Sequence, residues 1–84
     1  MIMPRIVTKV KGGEKMADPM VIGQRLRALR TNAKESIAET SSAVGISESA
    51  LRMYEIGQRI PRDEVKERIA AHFCESIESI FFSS

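Results

Sequence analysis

Catalytic chemistry needs nucleophiles, bases or ligating groups, and this chain holds few of them. His72 is the sole histidine and Cys74 the sole cysteine. Two residues apart on a helix they face different directions, so they cannot serve as a base and its nucleophile. The sequence shows no carboxylate pair, glycine-rich phosphate loop or cluster with metal-ligand spacing. It therefore predicts no enzyme, no cofactor and no metal site. His72 reads as a partly exposed helix residue near a C-terminal end, where positive charge is mildly favoured. Cys74 reads as a buried or half-buried small apolar residue, with redox sensing a minor alternative.

What remains is the chemistry of hydrogen bonding and charge displayed from a helix, and Ala43–Glu55 is where it concentrates. Gly45 suits a corner that needs positive φ, and Ser47 can cap the next helix by bonding its free N–H groups. Beyond the cap, Ala50, Leu51 and Tyr54 fall on an inward face, while Glu48, Ser49, Arg52 and Met53 fall outward. Such a corner is either an αα-hairpin that only packs or a helix-turn-helix whose second helix enters the DNA major groove. The stretch alone leaves both readings open.

The elements that must position this corner follow from periodicity. Ile22, Leu26, Leu29 and Ala33 make an apolar stripe for a first helix over about residues 21–32. Arg25 and Arg27 lie between them and read as a solvated face. Ser36–Glu39 matches the S-x-x-E capping box, opening a short, polar second helix to about Val44. The third helix runs from Glu48 to about Glu55 and ends at Gly57. Pro61 marks a helix start, Asp63 and Glu64 complement its dipole, and Val65, Ile69 and Phe73 give the fourth helix a buried face. Ser76 can cap a last short helix carrying Ile77, Ile80 and Phe81.

Eighty-four residues, 43% hydrophobic and 29% charged, fit one small folded domain. No apolar run approaches the ~20 residues of a membrane span, and one cysteine allows no internal disulfide, so the expected setting is cytoplasmic. Residues 1–20 hold four basic and two acidic side chains and are broken by Pro4, Gly12, Gly13 and Pro19, so they read as a flexible basic arm. Within it only Arg5–Val10 has strand-like composition. Residues 21–84, the folded domain, hold nine basic and nine acidic side chains. Any affinity for nucleic acid there must come from the placement of charge, not its excess.

In order, Ile22–Arg30, Ser36–Glu39, Val44–Ser47, the string Tyr54-Glu55-Ile56-Gly57-Gln58-Arg59-Ile60-Pro61, Ile69-Ala70 and Ser76–Phe81 resemble the phage-repressor (Cro/CI-type, Xre-like) helix-turn-helix family. The resemblance covers about residues 21–82 and implies an all-α, compact five-helix lambda-repressor-like DNA-binding domain, with the helix-turn-helix at helices 2 and 3. It implies that Glu48, Ser49, Arg52 and Met53 face base edges. A carboxylate can accept from cytosine N4, an arginine can take guanine, and a methionine can meet a thymine methyl. It further implies phosphate contacts from Ser36, Ile37, Ser47, Gln58, Arg59 and Arg62, and a structural ion pair between Arg30 and Glu55. At Ile37 relatives commonly carry glutamine. Glu35 and Thr40 stand where relatives carry large apolar residues, which predicts a leaner core.

The function implied is a sequence-specific DNA-binding transcriptional regulator, a repressor, that binds double-stranded DNA as a homodimer without a cofactor. With no room for a ligand-sensing domain, control is expected to come from concentration, proteolysis or a partner. Ile77, Ile80, Phe81 and Phe82 are a candidate dimer interface or, alternatively, a lid on the core. The competing reading is an adaptor or antitoxin that uses the same fold mainly to bind another protein.

Overall fold

A computed structural model of the chain describes residues 15–83. Among them are five helices: α1 (Pro19–Asn32), α2 (Ile37–Val44), α3 (Glu48–Glu55), α4 (Asp63–Phe73) and α5 (Ile77–Phe81). Three serines begin helices as their positions predict. The hydroxyls of Ser36, Ser47 and Ser76 accept from the backbone N–H groups of Glu39, Ala50 and Ser79, each at 3.0 Å. Glu39 completes the capping box by accepting from the Ser36 N–H at 2.8 Å.

The first helix starts earlier than its apolar stripe suggested. Asp18 caps it by accepting from the Met20 N–H at 3.0 Å, and Pro19 occupies the first turn. There the missing N–H of proline costs nothing and its fixed φ is already helical. Proline thus starts a helix at this position instead of breaking an arm.

Residues 15–17 also belong to the folded body. They run antiparallel to residues 81–83, with Ala17 N–H donating to Phe81 C=O and Ser83 N–H to Lys15 C=O, both at 2.9 Å. Ala17 is buried in the core beside Ile22, Leu26, Val44, Val65, Ile69, Ala70, Ile80 and Phe81. Ile80 and Phe81 are fully enclosed, and Ile77 and Phe82 pack half-buried against them. The C-terminal apolar group is therefore a lid on the core. The strand-like run Arg5–Val10 lies outside the described residues.

Two arginines of α1 differ from each other. Arg27 is exposed. The Arg25 guanidinium instead donates to the carbonyls of Ser79, Ile80 and Phe82 at 3.2, 3.1 and 2.9 Å. A cation among the free carbonyls that end a helix satisfies them and opposes the dipole, so Arg25 ties α1 to α5. Its partners lie on α5, so it does not stand on a solvated face.

The expected leaner core is a polar one. Thr40 is buried, and its hydroxyl donates to Glu35 at 2.6 Å. The His72 ring nitrogen Nε2 lies 2.8 Å from the same carboxylate oxygen. A carboxylate, a hydroxyl and an imidazole thus join the α1–α2 turn, α2 and α4, and each satisfies the others. The Thr40 hydroxyl, followed by His72, holds the Glu35 carboxyl below its ordinary range. His72 is partly exposed near the end of α4, as its position predicted, and its ring is held by the Glu35 carboxylate. Cys74 departs from its reading. It is exposed and takes the left-handed conformation that ends α4, with φ 56°.

Candidate nucleic-acid interface

The corner between α2 and α3 is built as its residues dictate. Gly45 has φ 84° and its N–H donates back to the Ser41 C=O at 2.8 Å, closing α2. A side chain at that φ would be strained, which is why glycine stands there. Ile46 then packs partly against the core, and the Ser47 cap opens α3 at once.

One face of α3 anchors it. Leu51 is buried, and Ala50 and Tyr54 are half-buried. α1 lies so close to the end of α3 that a Cβ at Gly23 would collide with the Glu55 and Tyr54 carbonyl oxygens. At this junction Arg30 meets Glu55 in a two-pronged pair, Nε to Oε2 at 2.7 Å and Nη2 to Oε1 at 3.1 Å. Its third nitrogen donates to the Glu35 C=O at 3.0 Å. The two side chains are only 14% and 7% exposed, so the pair is largely withdrawn from solvent screening. The bond to Glu55, against a smaller opposing effect of burial, raises the Arg30 pKa above its ordinary value. The geometry fixes the angle of α3 by a charge pair, two carbonyl contacts and an apolar anchor.

The opposite face of α3 is open. Glu48, Ser49 and Arg52 are exposed, and Met53 is half-buried. Glu48 and Arg52 stand one helical turn apart, with Oε1 and Nη2 separated by 3.6 Å. The sequence-expected flanking groups divide by what they have left to offer. Ser36 and Ser47 are exposed, and their hydroxyls, which accept the cap bonds, keep their O–H donors. Ile37 has no polar side chain and is half-buried, so its backbone N–H at the start of α2 is the one polar group it presents there. Gln58, Arg59 and Arg62 are all exposed around the α3–α4 loop. Neither arginine forms an ion pair among the described residues. Lys34, unassigned from sequence, is exposed at a left-handed turn two residues before Ser36, with φ 60°. The signal that could have found it is its place beside the capping box.

Among the described residues no group of three or more His, Cys, Asp or Glu side chains could hold a metal ion. No described helix is long and apolar enough to cross a membrane.

A family model for the helix-turn-helix domain matches residues 21–78. The chain belongs to the helix-turn-helix domain family. The phage-repressor resemblance seen in the sequence holds, and so does the five-helix architecture it implied. Among solved structures, this helix-turn-helix chain is similar to the restriction-modification controller protein C.AhdI from Aeromonas hydrophila. The two are 28% identical, with a TM-score of 0.72 over 76% of this chain and 97% of that one. It shares its fold with the clp gene regulator ClgR from Corynebacterium glutamicum. In one structure the identity is 18% and the TM-score 0.68, over 79% of this chain and 86% of that one. In another they are 19% and 0.70, over 76% and 68%. No curated protein matches the chain.

Proposed function

We propose that this chain is a DNA-binding transcription regulator of the cytoplasm that reads its operator with α3 and represses as a homodimer. The observation that carries the reading is the two-sided character of α3. Leu51 and the Arg30–Glu55 junction immobilise one side, while the other presents Glu48, Ser49 and Arg52 to solvent. A helix displayed in this way from a rigid corner fits the major groove. Around it, the α2 start at Ser36 and Ile37 and the loop residues Gln58, Arg59 and Arg62 supply donors suited to phosphates. Membership of the helix-turn-helix family and likeness to a restriction-modification controller and a gene regulator support the regulatory role. A homodimer follows because an eight-residue helix spans only a few base pairs, and a two-fold operator doubles the sequence read.

Selection of bound duplexes from a random pool tests the proposal. A two-fold symmetric site is the expected outcome, and no enrichment would overturn it.

A second reading, an adaptor or antitoxin that binds another protein, draws on a different observation. Met20, Val21, Ile56 and Ile60 are exposed, and Met20 packs beside Gly57 in the α3–α4 connection. Residues 21–84 are also electrically neutral. Binding to random-sequence DNA discriminates the two. A regulator loses affinity steeply as salt rises, because each phosphate contact releases counterions, whereas an adaptor shows a flat response.

A further inference from the structure

We propose that Glu48 is the positioning residue for Arg52, so that the two side chains read neighbouring base pairs as one unit: guanine by Arg52 and cytosine by Glu48. The inference rests on the reading of α3 as the groove helix and goes beyond it by coupling two contacts that would otherwise be independent.

The geometry points this way on three counts. First, Glu48 is the carboxylate that pairs with Arg52, at 3.6 Å; the nearby Glu55 is engaged by Arg30 and Glu39 by the Ser36 N–H. Second, the pair is one turn apart on the open face, with both side chains about half exposed, at 51% for Glu48 and 60% for Arg52. Exposed pairs of this kind add little to folding. What such a pair does is favour the guanidinium orientations that lie along the helix face. Third, at 3.6 Å the two groups attract by charge without a hydrogen bond that would occupy their donors and acceptors. Arg52 keeps further N–H donors for the N7 and O6 of guanine, and Glu48 keeps acceptor capacity for the N4 amino group of cytosine.

Entry into the groove sharpens the coupling. Excluding water strengthens the attraction between carboxylate and guanidinium, so a correctly placed Arg52 also fixes Glu48. A base pair that offers an acceptor to Glu48 sets two negative groups face to face, which disfavours that site. The carboxylate also opposes the phosphates, so Glu48 lowers affinity for DNA of arbitrary sequence. A carboxylate serving only as a dipole partner for the α3 N-terminus would have no effect on the base read by Arg52.

The test is selection from a random duplex pool with wild type, Glu48→Ala, Glu48→Gln and Arg52→Ala. Circular dichroism checks that each variant folds. Wild type should enrich sites with a guanine next to a position that prefers cytosine. Arg52→Ala should lose the guanine. Glu48→Ala should lose the cytosine, weaken the guanine preference by about tenfold and bind random-sequence duplex more tightly. Glu48→Gln should shift the cytosine preference toward adenine, since its amide donates as well as accepts, and should weaken the guanine preference as Glu48→Ala does. If the guanine preference of Glu48→Ala equals that of wild type, the coupling is wrong while the groove reading stands. If wild type enriches no site, the groove reading itself fails.

Discussion

Replacing Arg30 with alanine removes three contacts at once: the two bonds to Glu55 and the one to the Glu35 carbonyl. It leaves the Glu55 carboxylate, 7% exposed, without its cation. Truncating one partner of a buried ion pair costs about 3–5 kcal/mol. The Arg30 side chain keeps 14% of its exposure, so water can partly replace it, and the lower end, about 3 kcal/mol, applies. A domain of this size is stable by only about 5–10 kcal/mol, so the loss takes roughly 30–60% of the total. At about 4–8 °C per kcal/mol the melting temperature should fall by roughly 12–24 °C. The assay is thermal unfolding followed by circular dichroism, with DNA binding measured well below the lowered transition. Arg30→Lys keeps the charge but not the planar fork and should lose less. A double variant, Arg30→Met with Glu55→Leu, should recover part of the loss because no charge is stranded. A melting temperature for Arg30→Ala within about 2 °C of wild type would mean that the pair does not hold the fold, since such a shift corresponds to under 1 kcal/mol.

Three further outcomes follow from the same geometry. Gly23→Ala places a methyl group against the Glu55 and Tyr54 carbonyls, so α1 and α3 must part. Urea unfolding should show a loss of about 1–3 kcal/mol, although alanine is the better helix former. Cys74→Gly relieves a left-handed residue at the end of α4 and should raise stability by about 0.5–1 kcal/mol in the same assay. The Glu35 carboxyl sits below its ordinary value of 4.5 in the folded protein, chiefly through the Thr40 hydroxyl and then His72. Its contribution is therefore complete above pH 4.5 and is lost as the pH falls through the lower folded value. Glu35→Gln should flatten the acid limb of a stability–pH curve, leaving the region above pH 6 with the wild-type slope.

Much of the architecture is written in local signals. The caps at Ser36, Ser47 and Ser76 and the corner at Gly45 each depend on residues within a single turn, so spacing alone locates them. The α3 faces were legible for the same reason, because 3.6-residue periodicity places Leu51 inward and Glu48, Ser49 and Arg52 outward. Pro19 was misread because proline both breaks and begins helices. Only the Asp18 side chain, reaching the Met20 N–H, decides between them. The bonds that escaped are long-range. Arg25 meets carbonyls more than fifty residues away, and His72 meets Glu35 across 37 residues, partners that no pattern along the chain can announce. Cys74 was misplaced because its backbone role belongs by habit to glycine, so its side chain gave no hint of the left-handed turn.

The central claim, that the open face of α3 is the surface that meets DNA, is tested most directly by nuclear magnetic resonance. Backbone amide shifts of the labelled chain would be followed as a short random-sequence duplex is added at low salt. Shifts should concentrate at Ser36 and Ile37, at Ser47–Met53 and at Gln58–Arg62, leaving the exposed side of α4 and α5 quiet. Shifts confined to α4 and α5, with α3 unmoved, would contradict it.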